Sequence, residues 1–207
     1  MEAVIEPVTG SVDFQAASAV DYLPVAQLRA LQRERLRRTV RRAHERVALY
    51  RERLGALGLT PDSVTELEDL AALPFTVKDD LRATYPFGMF ASPLEEIVRL
   101  HASSGTTGKP IVVAYTREDL NVWTNGMVRT FAACGVHARD VVQNAYGYGL
   151  FTGGLGAHYG AEALGALVVP ISGGNTERQI ELMQDFGVTT ICATPSYFLH
   201  IAEKAGE

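Results

Sequence analysis

The stretch that decides the fold lies at residues 141–171 and reads VVQNAYGYGLFTGGLGAHYGAEALGALVVPI. It begins with the apolar run Val141–Ala145, continues with a helical pattern over Gly153–Leu164, and ends with a second apolar run, Ala166–Ile171. Apolar runs that alternate with helical segments at this spacing are typical of a parallel sheet covered on both faces by helices. The same alternation continues downstream, with a predicted strand at Val188–Ala193 and predicted helices at Asn175–Phe186 and Pro195–Ala205.

Two further strands and a helix are predicted just upstream of this series. The segments Ile97–His101 and Ile111–Tyr115 have strand character and flank a loop rich in Gly, Ser and Thr. The helix that follows is predicted over Arg117–Cys134, because Thr116 is a favourable N-cap residue with Asp119 three residues later. From about Glu95 onward the chain is therefore predicted to be α/β, with a mainly parallel sheet flanked by helices.

The N-terminal part of the chain has a helical pattern instead. After an irregular lead-in up to about Asp21, one helix is predicted from Leu23 to about Leu57. A short helical stretch is predicted at 64–73, and 77–90 is predicted to hold one more helix plus a turn at residues 86–88. Two domains follow from this change: a helical N-terminal segment at 1–94 and an α/β subdomain at 95–207. The polar face of the first helix carries many arginines, interspersed with glutamates, which favours a solvated face and leaves a phosphate-bearing partner as the alternative. The arginines are Arg29, Arg33, Arg35, Arg37, Arg38, Arg41, Arg42, Arg46, Arg51 and Arg53.

The composition excludes several functional classes. The net charge of −5 and pI near 5.6 argue against general nucleic-acid binding. The longest apolar run, Ala163–Ile171, is far shorter than the roughly 20 residues of a membrane span. The acidic N-terminus with Pro7 is unlike a secretory signal, and Cys134 and Cys192 lack a metal-ligand spacing. We therefore expect a cytoplasmic protein with two reduced, mostly buried thiols, no metal site, and no nucleic-acid or membrane partner.

The residues at Ser103–Pro110 read SSGTTGKP and carry the clearest chemistry. Glycines let several backbone N–H groups turn toward one anion, hydroxyls donate hydrogen bonds to phosphate oxygens, and the lysine ammonium adds a point charge. The loop is thus predicted to bind a polyphosphate. The predicted phosphate-binding residues are Ser103, Ser104, Gly105, Thr106, Thr107, Gly108 and Lys109.

Two better-known phosphate motifs do not fit the sequence. A Walker A loop requires glycine where Ser103 stands and Ser or Thr where Pro110 stands. The dinucleotide fingerprint has a partial match at Gly147 and Gly149, but its third glycine falls on Thr152. The remaining alternative for the loop is a surface hairpin rich in turn-forming residues.

The ordered string SSGTTGKP is similar to the phosphate loop of the adenylate-forming superfamily, which includes acyl-CoA synthetases. Its surroundings resemble the phenylacetate-CoA ligase branch, namely residues 73–78, 85–88, 101–103, 113–120 and 146–160. The resemblance covers about Leu28 to Ala202. It implies that ATP with Mg²⁺ activates an aryl acid as an acyl-adenylate, and that coenzyme A then takes up the acyl group.

The aromatic and glycine-rich segment 146–160 is predicted to form the acyl pocket. It starts at the carboxyl end of a predicted strand, where open α/β sheets place their ligands. Rings of Tyr146 and Phe151 could contact an arene, and the small residues Gly154 and Ala157 would leave space beside them. The resemblance supports Tyr146, Phe151 and Ala157 in this role. His158 could be a base or a metal ligand, although a lone helical histidine more often packs or forms hydrogen bonds.

Complete members of the family also carry downstream residues for magnesium, for ribose and for adenylation. These 207 residues contain none of those motifs, so the resemblance predicts the N-terminal part of a ligase and little activity from this chain alone. The preferred aryl acid is left open, as is a homodimer. Two alternatives also stay open: another nucleotide-dependent enzyme, or a non-catalytic module whose arginine-rich helix binds an acidic partner.

Overall fold

A computed structural model describes residues 15–103 and 109–206 of the chain. The α-helices in this part are α1 Val25–Arg46, α2 Ala48–Ala56, α3 Lys78–Ala83, α4 Arg117–Ala133, α5 Thr152–Leu164, α6 Thr176–Asp185 and α7 Pro195–Ala205. The strands are β1 Ile97–Ala102, β2 Val112–Thr116, β3 Val141–Asn144, β4 Leu167–Val169 and β5 Thr190–Cys192. Short 3₁₀ helices lie at Ala16–Tyr22, Pro61–Ser63, Leu67–Ala72 and Leu94–Glu96.

The decisive stretch folds as predicted, into a strand, a helix and a parallel strand. β3 is the central strand of a three-stranded parallel sheet in the order β4-β3-β5. Val142 pairs with Val168 on one side and with Thr190 on the other. The helices α5 and α6 form the crossovers, which parallel strands require. The predicted α/β class is therefore confirmed.

The two strands beside the glycine-rich loop form a separate antiparallel hairpin. In β1 and β2, Leu100 pairs with Ala114 and His101 pairs with Val113. The predicted start of α4 is also confirmed, since the Thr116 hydroxyl accepts from the Asp119 N–H at 3.2 Å. In return, the Asp119 carboxylate accepts from the Thr116 N–H at 2.9 Å, which completes a capping box.

Close contact between α4 and α5 organises the main core. The buried cluster includes Phe131 from α4, Ala161 from α5 and Val142 from β3. A Cβ atom at Gly160 would collide with the Cβ atom of Met127 on α4. The absence of a side chain at Gly160 thus allows the two helices to approach each other.

The N-terminal helix differs from the single helix predicted for 23–57. It breaks at Val47, whose extended backbone (φ −118°, ψ 114°) separates α1 from α2. Two observations explain the break: Val47 is buried, and the Arg51 guanidinium donates to the carbonyl oxygens of His44 and Glu45 at the end of α1. The lead-in predicted to be irregular also differs, because Ala16–Tyr22 is a 3₁₀ helix and Asp21 forms an ion pair with Arg129 of α4.

Arginines of the first two helices bind neighbouring parts of the same chain. Arg33 forms an ion pair with Glu66 at 3.1 Å, and Arg41 forms one with Asp62 at 3.0 Å. Such exposed pairs contribute little to stability individually. They nevertheless account for much of the basic face as a solvated surface over the 3₁₀ segments.

One pair is less exposed and joins α2 to α3. Both terminal nitrogens of Arg53 donate to the Asp80 carboxylate, at 2.8 and 2.6 Å. The same carboxylate accepts from the Val77 N–H at 2.8 Å and thus also caps α3. The hydrogen bonds from Arg53 and from Val77 hold the pKa of Asp80 below its ordinary value.

Neither chain segment 15–103 nor 109–206 contains a helix with the length and apolar character needed to cross a bilayer.

The boundary between residues 94 and 95 stays a prediction. A second small core of Val40, Leu54 and Val64 lies on its N-terminal side.

Replacing Gly160 with alanine should destabilise the fold by about 1–3 kcal/mol, because overpacking forces α4 and α5 apart. Urea unfolding followed by circular dichroism measures the loss. Gly126→Ala is the matched control, since Gly126 lies in α4 and a Cβ atom added there would meet nothing within 4 Å. There the substitution should stabilise by about 0.5–1 kcal/mol through helix propensity. Equal effects of the two substitutions would contradict the close approach.

Replacing Asp80 with asparagine should lower the urea midpoint at pH 7, whereas Asp79→Asn, at an exposed neighbouring carboxylate, should change it little. Because the folded-state pKa of Asp80 is lowered, its charge stabilises the fold above the unfolded pKa of about 4. This contribution is lost as the pH falls through the folded pKa. The midpoints of Asp80→Asn and the parent chain should therefore converge in acid; a constant difference at every pH would refute the ionic contribution.

Candidate functional site

The ends of the glycine-rich loop are fixed to each other at the tip of the hairpin. The Ser103 N–H donates to the Ile111 carbonyl oxygen at 2.9 Å, and the Ile111 N–H donates to the Ser103 hydroxyl at 2.9 Å. Lys109 is exposed, and its ammonium lies 5.4 Å from the centre of the Tyr85 ring. The other predicted phosphate-binding residues, Ser104, Gly105, Thr106, Thr107 and Gly108, lie outside the described residues.

The base of this loop is joined to the aromatic and glycine-rich segment through one carbonyl group. The Leu150 oxygen accepts from the Ala102 N–H at 3.1 Å and from the His101 Nδ1 at 2.9 Å. Because a carbonyl oxygen only accepts, His101 must carry its proton on Nδ1. His101 is fully buried, and its ring meets the rings of Tyr115 and Trp123 edge-on at 5.7 and 5.5 Å. Its placement therefore fixes the hairpin against residues 146–151.

Asn144, at the carboxyl end of β3, forms hydrogen bonds that hold the aromatic and glycine-rich segment in place. Its side-chain amide is fully buried and donates to the Gly154 carbonyl oxygen at 2.7 Å and to the Tyr148 hydroxyl at 2.8 Å. Its oxygen accepts from the Tyr146 N–H at 3.3 Å. One side chain thus joins β3, the turn after it and the first turn of α5. A buried amide without hydrogen-bond partners would destabilise the fold, so these three hydrogen bonds favour the observed conformation of the segment.

A directed chain of hydrogen bonds runs from Asn144 toward the surface. The His158 Nε2 lies 3.0 Å from the Glu162 carboxylate, which can only accept while ionised, so the proton of a neutral ring lies on Nε2. Nδ1 then accepts from the Tyr148 hydroxyl, 3.2 Å away, and that hydroxyl accepts from Asn144. Burial raises the pKa of Tyr148, which keeps its hydroxyl protonated and able to donate. His158 therefore has both ring nitrogens engaged within the fold.

The four predicted acyl-pocket residues occupy the junction between β3 and α5. Tyr146 follows β3, is half-buried, and donates its hydroxyl to the Ala193 carbonyl oxygen after β5 at 3.0 Å. Phe151 is the exposed N-cap residue of α5. Gly154 and Ala157 are buried and stand three residues apart on α5, where they share a face. A side chain at Gly154 would collide with the Gly147 carbonyl oxygen, and Ala157 belongs to the main core.

The cysteines and acidic residues supply no further reactive group here. Cys192 pairs in register with Asn144, and burial raises the pKa of its thiol to about 11, so the thiol stays neutral. Cys134 is exposed, which corrects the expectation of two mostly buried thiols, because it follows the last turn of α4. Across 15–103 and 109–206, no cluster of three or more His, Cys, Asp or Glu side chains could hold a metal ion.

Several residues of this junction were not singled out in the sequence, namely His101, Asn144, Tyr148 and Leu150. Asn144 has a usable signal, since it is a polar residue at the carboxyl end of an apolar strand, where open α/β sheets place their ligands. The role of Leu150 has none, because only its backbone oxygen is involved.

Comparison with known proteins shows which proteins the chain is similar to. No model of a known protein family matches the chain. The chain is 57% identical over 180 residues to the phenylacetate-coenzyme A ligase of Pseudomonas putida, covering 87% of the chain and 41% of that ligase. It is 52% identical over 185 residues to the corresponding ligase of Escherichia coli (strain K12), covering 89% and 42%.

Solved structures agree with these relatives. A 2-hydroxyisobutyryl-CoA ligase in complex with 2-HIB-AMP and CoA in the thioesterification state superposes with a TM-score of 0.82 at 32% identity. That match covers 87% of the chain and 40% of the ligase chain. A second structure, of the same ligase in the postadenylation state with R3-HIB-AMP, superposes with a TM-score of 0.80 at 27% identity over 94% of the chain.

The chain thus has the fold of part of an adenylate-forming CoA ligase. Within that class, its identity of 52–57% to curated phenylacetate-CoA ligases confirms the resemblance that residues 101–120 and 146–160 indicated. The chain spans about two fifths of the length of the curated relatives that it matches.

Replacing Asn144 with alanine should destabilise the protein by about 1–3 kcal/mol, because the Gly154 carbonyl and the Tyr146 N–H lose a buried partner. Urea unfolding measures the stability, and limited proteolysis should show earlier cleavage within residues 146–153. Gln184→Ala, at an exposed amide on α6, is the control and should leave both unchanged. A parent-like stability for Asn144→Ala would show that the amide does not organise the junction.

Proposed function

We propose that this chain supplies the phosphate loop and the acyl pocket of a phenylacetate-CoA ligase. In this reaction the carboxylate oxygen of phenylacetate attacks the α-phosphorus of ATP, and pyrophosphate leaves with the formation of an acyl-adenylate. The thiolate of coenzyme A then attacks the acyl carbon, and AMP leaves. ATP enters as its Mg²⁺ complex, and the phosphate-binding residues are Ser103, Ser104, Gly105, Thr106, Thr107, Gly108 and Lys109.

The observation that carries the proposal is the junction at the Leu150 carbonyl. Through it, Ala102, at the base of the proposed phosphate loop, donates a hydrogen bond to the segment proposed to hold the acyl group. Adenylation requires this proximity, because the acid and the α-phosphate must meet in one orientation. The neighbouring solved structures, which contain an acyl-AMP or an acyl-AMP with CoA, support the same assignment.

The acyl group is proposed to lie beside Tyr146, Phe151, Gly154 and Ala157. The exposed ring of Phe151 is free to contact an arene, and the hydrogen bond from Tyr146 to Ala193 holds the second ring beside β5. The buried small residues of α5 let that helix start close to the end of β3. A cytoplasmic location and the division between residues 94 and 95 stay predictions, and a homodimer stays open.

The alternative of an arginine-rich helix that binds an acidic partner has less support. Arg29, Arg33 and Arg41 already form ion pairs with Glu68, Glu66 and Asp62. Arg53 binds Asp80, so an external anion would have to displace a carboxylate at each of these four arginines, whereas Arg37 and Arg38 form no ion pair within the described residues.

The proposed reaction is tested by ATP–pyrophosphate exchange in the protein that carries this sequence, with phenylacetate or acetate as the acid. We expect exchange with phenylacetate to exceed that with acetate, because only the aryl acid can use the aromatic contacts. Equilibrium binding of both acids to the 207-residue chain gives a readout independent of turnover. Equal binding of both acids would contradict an aryl pocket.

Replacing Lys109 with alanine should weaken ATP binding about tenfold or more, since a charge-assisted contact to phosphate is lost. Isothermal titration calorimetry measures the dissociation constant. Lys78→Ala, at an exposed lysine of α3, is the matched control and should bind ATP normally. If Lys109→Ala bound ATP normally while changes at Arg37 and Arg38 abolished binding, the arginine-rich surface would be the true anion site.

A further inference from the structure

A positively charged cavity lies between the hairpin, α4 and α5. Its volume is about 220 Å³. It is walled by Arg99 of β1, by one face of α4 and by Tyr159 of α5. From α4 come Arg117, Asn121 and Thr124, which recur at helical spacing, together with Leu120 and Trp123. Leu155 and Gly156 complete the lining.

The charge of this cavity is not compensated by its own lining. It contains two arginines and no aspartate or glutamate, although the whole chain has a net charge of −5. The nearby carboxylate of Asp119 is engaged in the cap of α4, where it accepts from the Thr116 hydroxyl at 2.7 Å. Among the residues that the structure describes, neither Arg99 nor Arg117 forms an ion pair.

The polar groups around the cavity also lack internal partners. Within the described ranges, the side chains of Arg99, Arg117, Asn121 and Thr124 form no hydrogen bond to protein. The guanidinium carbon of Arg99 lies 4.8 Å from the centre of the Tyr159 ring, a cation–π contact that orients the group without using its N–H donors. Arg99 is half-buried and lies in this cavity without an acceptor for its donors, and Arg117, Asn121 and Thr124 add further donors around the same space, an arrangement suited to a ligand with several acceptor oxygens.

The space itself depends on one glycine. A Cβ atom at Gly156 would lie 2.7 Å from the Trp123 ring, so a larger residue would displace that ring, which lines the cavity. Trp123 also stacks on Tyr115, with ring centres 5.1 Å apart. The Trp123 ring in the cavity wall is thus held in place by packing against Gly156 and Tyr115.

We propose that this cavity binds a phosphate group, held by Arg99 and Arg117 and by the Asn121 and Thr124 side chains. Guanidinium groups match the paired oxygens of phosphate, and the hydroxyl and amide add neutral donors. Two sources share this chemistry: free inorganic phosphate and the 3′-phosphate of coenzyme A. The phosphate site does not depend on the proposed function, because it uses none of the loop residues; coenzyme A as its source does rest on that function.

Trp123 provides a direct readout, because it is the single tryptophan of the chain and lines the cavity. Titration of the 207-residue chain with inorganic phosphate should change its fluorescence saturably. Arg99→Gln and Arg117→Gln should each weaken phosphate binding about tenfold or more, and Arg99→Lys should weaken it less, since the charge stays while the paired donors are lost. Arg139→Gln, at an exposed arginine outside the cavity, is the control and should bind like the parent.

The variant Lys109→Ala distinguishes binding at the cavity from binding at the glycine-rich loop. It should leave the Trp123 response to phosphate intact. No saturable response in the parent, or equal phosphate affinity in the parent, Arg99→Gln and Arg117→Gln, would overturn the proposal. Arg117 is exposed at the start of α4, so its variant tests the site even if Arg99→Gln fails to fold.

Coenzyme A and 3′-dephospho-coenzyme A then distinguish the two sources. If coenzyme A binds about tenfold or more tightly than its dephospho form, and Arg99→Gln removes the difference, the cavity holds the 3′-phosphate. If the two bind equally while inorganic phosphate still gives an Arg99-dependent response, the cavity is a site for the free ion. Both results support the phosphate site, and a response unaffected by Arg99 and Arg117 refutes it.

Discussion

The geometry of the junction depends on the Leu150 carbonyl oxygen, which accepts hydrogen bonds from the Ala102 N–H and from the His101 ring. The hairpin and the parallel sheet are separate sheets, so strand pairing does not fix one relative to the other. The two hydrogen bonds provide one link, at the point where the glycine-rich loop begins, and the contact of Arg99 with the Tyr159 ring of α5 provides another. His101 can hold this position because its ring is enclosed by Tyr115 and Trp123, which leave it little rotational freedom.

The glycines of α5 have a clear physical reason. Glycine within a helix costs about 0.5–1 kcal/mol relative to alanine, so a run of them needs a compensating gain. Gly154 lets α5 start against the Gly147 carbonyl, Gly156 accommodates the Trp123 ring, and Gly160 admits Met127. Close packing with α4 and with the end of β3 provides the gain, and the same packing positions the segment proposed to hold the acyl group.

Local patterns allowed much of the fold to be predicted. The start of α4 follows from Thr116 and Asp119 alone, since a capping box satisfies its own backbone donors. The strands of the parallel sheet follow from short apolar runs between helical patterns. The break at Val47 could not be predicted in this way, because the apolar spacing continues through it and the groups that end α1 belong to Arg51, in the next helix.

Site residues could be proposed from the sequence only where the residues that suggest the chemistry are neighbours in the chain. The loop around Ser103 and Lys109 has that property, and so do the aromatic residues after β3. The cavity at Arg99 does not, because its arginines lie on a strand and on a helix start and its aromatic wall comes from α4 and α5. In the sequence, Arg99 and Arg117 resemble the many arginines of the first helix. They differ in the folded protein. Arg33 and Arg41 form ion pairs with the carboxylates of Glu66 and Asp62, whereas Arg99 contacts the ring of Tyr159 and its N–H donors stay unused.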